Sequence, residues 1–432
     1  MALVITVDYL AGIYIEKTED KKKKKIFFSI SIITTILILF IFKYFNFFNA
    51  NFAKLADVLH WNYSIAALSL LLPIGLSFHT FQSLSYVVEV YRGKQKAEKN
   101  FGIYSLYVMF YPQLVAGPIE RPQNLLHQFY EEHNFNYNDF ADGLKLMLWG
   151  FFMKVVIADR LAIVVNTVYN NPTNYTGIPL IVATVFFAFQ IFCDFAGYST
   201  IAIGIARVMG FRLMKNFNRP YFSKSIHEFW RRWHISLSTW FKDYIYIPLG
   251  GNRVTVSRWY YNLFIISMIS GLWHGANWTF IIWGALHAFY SIFSLMTQNI
   301  RAKAVQIFRI DKTPIFYSMI QIGVTFILVN IGWIFFRANS LGDAWYILTH
   351  IHIINGINDS IQSLGLRRLE LLIALISITF MIFIHILQEK KSVMSYLSSK
   401  PTWVKWTIYL IFINLILSFG VFNYTQFIYF QF

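Results

Sequence analysis

Residues 259–300 read WYYNLFIISMISGLWHGANWTFIIWGALHAFYSIFSLMTQNI, 42 positions without an Asp, Glu, Lys or Arg. A helix that crosses a bilayer needs about 20 mostly apolar residues, so this stretch is long enough for two crossings. Near its middle stands His274, between Gly271 and Gly275. The composition agrees with a membrane setting: of 432 residues, 56% are hydrophobic, 19% aromatic and only 13% charged. A soluble domain carries about a quarter charged residues, so the bilayer must cover much of this surface. The 13 Trp and 26 Tyr also suit a protein whose rims lie at the headgroup level.

Working outward, further apolar runs appear at Ile26–Phe42, Ser64–Val88, Phe140–Val168, Ile178–Ala206, Ile315–Phe336, Leu371–Leu387 and Trp406–Phe430. Together they predict about nine or ten membrane segments, with Gly102–Val115 a re-entrant candidate. The basic patches Lys21–Lys25 and Arg92–Lys99 flank the first two runs and belong on one side. The net charge of +16 is dispersed in such patches between apolar runs, which argues against nucleic-acid binding. The single cysteine, Cys193, excludes an intrachain disulfide and any CxxC arrangement. Met1–Ile15 is apolar but carries Asp8, and its basic run follows it, so it does not read as a cleavable signal. No internal repeat interrupts the chain. The expectation is one all-α, polytopic membrane domain over 1–432.

Ser225–Lys242 differs from the rest. Ile226, Trp230, Trp233, Leu237, Trp240 and Phe241 recur at helical spacing, with Glu228, Arg231, Arg232 and Lys242 elsewhere around the helix. Ser225 and Glu228 make a capping-box signature, and Pro248 with Gly250–Gly251 close the segment. This predicts one amphipathic helix lying at the membrane interface, either as an anchor or as part of a site.

Ionisable groups at membrane depth are expensive and point to function. A neutral imidazole is the cheapest of them to bury and suits general-base chemistry near neutral pH. His274 is therefore the candidate base; the alternative is a histidine that bonds a neighbouring helix. His234, on the amphipathic segment, could line the same cavity or be held by headgroups. Asp243 and Asp194 are the carboxylates nearest these elements, and Asp194 reads as a structural hydrogen-bonding group between helices. His227 and His234 are seven residues apart, about 10 Å along one helix, which is too far for a shared zinc ion. His79, His287 and His385 lack glycine hinges and polar neighbours and read as core histidines. Neither GxxxxGK nor GxSxG occurs, so P-loop and serine-hydrolase chemistry lack support.

Several ordered motifs carry a resemblance. They are Tyr111-Pro-Gln-Leu-Val-Ala-Gly-Pro-Ile-Glu-Arg121, Cys193-Asp-Phe-Ala-Gly-Tyr198, Phe217-Asn-Arg-Pro-Tyr221 and Glu228-Phe-Trp-Arg-Arg-Trp-His234. Leu237-Ser-Thr-Trp240, Asp243-Tyr244, Pro248-Leu-Gly-Gly-Asn-Arg253 and Gly271-Leu-Trp-His-Gly-Ala-Asn277 follow. Over most of Lys43–Arg337 the chain resembles the membrane-bound O-acyltransferase superfamily, in the branch that acetylates alginate and peptidoglycan. That resemblance implies a ring of transmembrane helices around a funnel, with re-entrant and interfacial helices. It places His274 at the family's catalytic histidine and His234 at its second characteristic histidine. Such relatives begin with further hydrophobic segments, so the chain is expected to be shortened at its N-terminus. Ala196 and Thr200 stand where the branch is expected to have Ser and Asp, and no catalytic role is assigned there.

The implied protein is a multi-pass O-acetyltransferase of the inner membrane acting on an alginate-like exopolysaccharide or peptidoglycan. It would have no bound cofactor or metal and would use acetyl-CoA or another cytoplasmic acyl thioester. An extracytoplasmic partner protein would complete transfer. His274 would deprotonate the acceptor hydroxyl, with a covalent acetyl-imidazole as a variant. His234 would help to line the site. Trp273 would form a wall, Asn277 a wall and oxyanion donor, and Arg231 and Arg232 would meet donor phosphates or lipid. Asp243 is the remaining substrate-binding candidate. The competing enzyme reading is D-alanyl transfer to teichoic acid from a carrier protein. The competing non-enzyme reading is a transporter, against which the missing repeat counts.

Overall fold

The computed structural model describes residues 1–353, 364–390, 393–422 and 427–428, apart from 72, 74 and 116, and all regular structure among them is helical. The chain opens with α1 (Ala2–Lys17) and α2 (Lys21–Leu39), which continues through a π-helical turn, Phe40–Tyr44, into α3 (Phe45–Val58). Next come α4 (Leu76–Tyr91), α5 (Phe101–Met109) and the short α6 (Pro122–Leu125). α7 (Tyr137–Phe151), a π-helical stretch at Phe152–Ala158 and α8 (Asp159–Tyr169) form one run ahead of the long α9 (Ile178–Val208). α10 (Ile226–Arg232), α11 (Ile235–Phe241) and a third π-helical stretch, Lys242–Tyr246, lead to α12 (Val256–His274) and α13 (Trp278–Met296). Then follow α14 (Gln298–Ile307), α15 (Pro314–Arg337), α16 (Leu341–His350), α17 (Arg368–Lys390), α18 (Val393–Ser398) and α19 (Thr402–Phe419).

Among the described residues, 6 helices are long and apolar enough to cross a membrane, fewer than the nine or ten expected. They are Lys21–Val58, Ile178–Val208, Trp278–Met296, Pro314–Arg337, Arg368–Glu389 and Thr402–Phe419. Ser64–Val88 is not one helix. Its first part is irregular, Gly75 takes φ 75°, and helix begins only at Leu76. Pro73 cannot donate a helical hydrogen bond and Gly75 sits in the left-handed region, so the apolar run is cut there. Phe140–Val168 is helical throughout but carries Lys154, Asp159 and Arg160, all buried. Gly102–Val115 contains only the short α5. The 42-residue stretch resolves into the hairpin of α12 and α13, joined through Gly275-Ala-Asn277. Positions 72 and 74 of Ser64–Val88, Ala116 of the first motif and most of the end of Trp406–Phe430 lie outside the described residues.

α9 is the axis of the core, with Phe187, Ile191, Cys193 and Phe195 fully enclosed. α7 lies against it through glycines. A Cβ on Gly143 would fall 2.6 Å from the Gly204 carbonyl oxygen, and one on Gly197 would fall 2.9 Å from that of Gly150. Without a hydrophobic drive between lipid-facing helices, such small-residue contacts let backbones approach and gain dispersion energy. The same interface carries charge. Lys154 Nζ lies 2.7 Å from Asp159 Oδ1 and 2.5 Å from Asp194 Oδ1, while Asp194 Oδ2 accepts from the Ile428 N–H at 2.8 Å. Asp194 is thus a structural link, as its setting in the sequence suggests. Elsewhere, Asp8 on α1 accepts from Ser31 Oγ at 2.5 Å and Thr35 Oγ1 at 3.2 Å on α2. Glu16 accepts from the Ala97 N–H at 3.1 Å, which brings the Lys21–Lys25 and Arg92–Lys99 patches to one end.

The amphipathic segment departs from expectation. Helix breaks at Trp233–His234, and His234 takes φ 42° and ψ 56° before α11 starts. Ser225 Oγ caps the Glu228 N–H at 3.1 Å, while Glu228 reaches back to the Lys224 N–H at 2.8 Å. The apolar face does not meet lipid headgroups: Trp233, Leu237, Trp240 and Phe241 are buried in protein. Trp240 Nε1 donates to Ser85 Oγ at 2.8 Å and the Phe81 carbonyl at 3.0 Å. The same stripe that would seat a helix on a membrane here seats it on α4. Replacing Lys154 with Met would leave two buried carboxylates without their cation. We expect a loss of about 3–5 kcal/mol, the scale for breaking a buried ion pair, read from denaturant unfolding in detergent micelles.

Candidate functional site

α12 ends inside the protein at His274, which is 4% exposed. The last carbonyls of a helix have no partner within it and need donors from elsewhere. Here α2 and its π-helical turn supply them. Lys43 Nζ donates to the Trp273 carbonyl at 2.7 Å and to the His274 carbonyl at 3.1 Å, and Tyr44 Oη donates to the Leu272 carbonyl at 3.1 Å. A cation at a helix C-terminus is also favoured by the helix dipole. The return helix α13 is pressed against α12 at Gly271 and Gly284, whose added Cβ atoms would lie 2.4 Å from Phe280 O and 2.6 Å from Ser267 O respectively.

The His274 ring is enclosed by aromatic rings. Trp273, Trp283 and Phe336 lie with centroids 4.7, 5.0 and 5.1 Å away. Gly275 is needed directly after it, because a Cβ there would fall 2.2 Å from the Phe280 ring. Beyond this point opens a cavity of about 580 Å³, lined by Lys43, Asn166, Asn170, Asn277, Arg337 and Asn339 among others. Asn277 Oδ1 caps the Thr279 N–H at 3.1 Å, and its Nδ2 is 3.5 Å from the Asn339 carbonyl. Trp273, in contrast, is buried between the histidines, and neither it nor the buried His274 ring lines that cavity, although the next residue, Gly275, does.

His234 lies on the other side of Trp273, with ring centroids 6.1 Å apart. Its protonation is fixed by neighbours. The Ser236 backbone N–H, which can only donate, points to Asn216 Oδ1 at 3.3 Å, and Ser236 Oγ donates to the same oxygen at 2.9 Å. His234 Nδ1, 3.1 Å from that oxygen, must therefore carry the hydrogen. Nε2 is left as the lone-pair nitrogen, buried without a hydrogen-bond partner among the described residues. Burial holds the imidazole well below the usual histidine range, so it is neutral. The break at His234 also removes the single-helix geometry from which zinc between His227 and His234 was judged too distant; Nδ1 is committed to Asn216 instead.

Other expected site residues are placed elsewhere. Arg232 pairs with Glu228 at 2.6 Å and Glu389 at 3.5 Å, whereas Arg231 is exposed. Among the described residues Asp243 bonds to Arg121 at 3.3 Å and, through its carbonyl, to Arg92, not to either histidine. His287 is a core histidine with a polar partner after all: Trp230 Nε1 donates to its Nδ1 at 3.3 Å, and its ring lies 4.9 Å from Trp283. His79 and His385 are buried, 1% and 7% exposed. Sequence reasoning missed Asn216, Lys43 and Arg337. The two cations each end an apolar run, where a charge reads as the start of a loop.

The family model described as MBOAT, membrane-bound O-acyltransferase family, matches residues 100–336. The chain belongs to the membrane-bound O-acyltransferase family. Both central histidines of this family member fall within the match. The chain is 44% identical over 276 residues to the probable alginate O-acetylase AlgI of Azotobacter vinelandii, covering 64% of this chain and 53% of the relative. It is 34% identical over 380 residues to the peptidoglycan O-acetyltransferase of Helicobacter pylori, covering 82% and 70%. A teichoic acid D-alanyltransferase of Bacillus subtilis is 30% identical over 237 residues, covering 50% and 57%. The chain thus spans about half the length of the alginate O-acetylases it matches. Replacing Asn216 with Ala is expected to destabilise this family member by about 1–3 kcal/mol, because buried donors on His234 and Ser236 lose their acceptor. Thermal unfolding in micelles, with Asn216→Asp as the variant that keeps an acceptor, checks this.

Proposed function

We propose that this chain acts as an O-acetyltransferase of the inner membrane. It takes an acetyl group from a cytoplasmic thioester such as acetyl-CoA and moves it to hydroxyls of an extracytoplasmic polysaccharide. The observation that carries the reading is the placement of His274: a histidine fixed at the end of a glycine-packed hairpin, beside a polar cavity, within the span that matches the family. The activities named for the alginate and peptidoglycan relatives supply the acyl group and the acceptor class. An extracytoplasmic partner would complete delivery to the polymer.

In the proposed step, His274 removes the proton from an acceptor hydroxyl as its oxygen attacks the thioester carbonyl. The carbon–oxygen bond forms, the carbon–sulfur bond breaks, and the departing thiolate takes the proton back from the imidazolium. The aromatic enclosure excludes water, which favours transfer over hydrolysis. Asn277 Nδ2, with Oδ1 used in capping, is the candidate donor to the developing oxyanion. His234 shares Trp273 with His274 and supports the site through a neutral Nε2. Arg232, already paired with two carboxylates, is a weaker candidate for donor phosphates than the sequence suggests; Arg231 keeps that role or meets lipid. Asp243, paired with Arg121, is likewise a weaker candidate for substrate binding than the sequence suggests.

Transfer of D-alanine remains the second reading, favoured by the teichoic acid relative but at lower identity and over a shorter match. Replacing His274 with Ala, with insertion verified, should lower O-acetyl groups on the envelope polysaccharide by roughly a hundred- to ten-thousand-fold, the usual worth of a general base. Mass spectrometry of the polymer measures it. Unchanged acetylation would remove His274 from the mechanism, and D-alanyl esters in place of acetyl groups would select the second reading.

A further inference from the structure

The cavity beside Gly275–Asn277 has an unusual charge balance. Two cations line it, Lys43 and Arg337, and its lining contains no Asp or Glu. Arg337 is 7% exposed. Its Nη2 donates to Asn166 Oδ1 at 2.8 Å and Asn170 Oδ1 at 3.2 Å, and its Nη1 to Asn339 Oδ1 at 3.3 Å. These are neutral amide oxygens: they orient the guanidinium without neutralising it. Arg337 Nε has no hydrogen-bond partner among the described residues. Neither Lys43, half-buried, nor Arg337 is in an ion pair among the described residues, although Lys154, about as buried as Arg337, has two carboxylates. Helix C-termini offset part of both charges, since Lys43 caps α12 and Arg337 ends α15. Arg337 Nε is itself enclosed in protein, so what the two residues offer the open cavity is positive charge without an acidic neighbour. A buried charge without a counter-ion is costly, and an anion in the cavity would offset that cost.

The position of the cavity identifies the source of that anion. Lys43 lies 22 residues along the continuous helix from Lys21, or about 33 Å, close to a hydrocarbon thickness of about 30 Å. The basic patches Lys21–Lys25 and Arg92–Lys99 mark the opposite, cytoplasmic end by the positive-inside rule. A donor thioester and its phosphates enter from that end. The anion at Lys43 and Arg337 therefore comes with the acceptor.

We infer that Arg337, with Lys43, binds a carboxylate of the acceptor polysaccharide in this cavity and so selects acidic glycans over neutral ones. This rests on the acetyl-transfer reading for the word acceptor, but binding can be measured without turnover. The full chain in lipid nanodiscs is titrated with a short oligouronate and with the same oligosaccharide after reduction of its carboxylates to hydroxymethyl groups. The oligouronate should bind tighter by about tenfold to hundredfold, the range for hydrogen bonds to a charged group, and salt should weaken that preference. Arg337→Gln should erase most of it and Arg337→Lys should keep part. Equal binding of the two oligosaccharides, or an unchanged preference in Arg337→Gln, overturns the inference. Displacement of the oligouronate by coenzyme A in an Arg337-dependent manner also overturns it, because the site would then read phosphate. Arg337 ties α15 to α8, so if its variants do not fold, the contrast between the two oligosaccharides on the unaltered chain decides alone. In His274→Ala the preference should persist. If that variant still acetylates while the preference holds, the transfer mechanism fails and the binding site stands; the reverse result removes the binding site only.

Discussion

The end of α12 has to stop inside the protein, and everything around the central histidine follows from how its last carbonyls are satisfied. Leu272, Trp273 and His274 would leave three acceptors facing low dielectric without Lys43 and Tyr44. An unmet buried carbonyl costs on the order of 1–3 kcal/mol, so the cap ties α2 to α12 as firmly as a packed side chain would. Gly271 and Gly284 then allow α13 to turn back at contact distance, and Phe280 closes over Gly275. A ring that is held by its own backbone, rather than by its side-chain bonds alone, keeps its orientation while its surroundings change.

The interior charges obey one rule with two outcomes. Lys154 meets Asp159 and Asp194, and the three together staple the helical run of α7 and α8 to α9. Among the described residues Lys43 and Arg337 meet carbonyls, amides and the faces of Trp273 and Tyr169, with no carboxylate. A fully paired cluster contributes to a unique packing, whereas a cation left with neutral partners is a place where free energy has been reserved for a ligand.

Much of this was legible from residues alone. The uncharged stretch 259–300 pointed to the α12–α13 hairpin, although of the two helices only α13 is among those long and apolar enough to cross a membrane. The family motifs placed both histidines, and Ser225 marked the start of α10 through its cap on Glu228. The failures have physical causes. Periodicity continued through His234 because a left-handed residue changes direction without changing hydrophobic spacing. Trp on one helix face could not distinguish lipid from α4, as both are apolar. Asn216 is an ordinary Asn in the sequence, and only the fold brings its amide to His234. Lys43 and Arg337 draw no attention in the sequence, because burial at a helix end depends on a neighbour that the local sequence does not contain.

The π-helical turn at Phe40–Tyr44 has a consequence of its own. Each residue advances an α-helix by about 100°, and a π turn holds one residue more than an α turn. Deleting any single residue there would restore a regular helix, yet Lys43 and Tyr44 would swing through that angle relative to α2 or α3. The segment therefore encodes angular phase as well as composition: it can exchange one apolar side chain for another, but it cannot change length without losing its aim at α12.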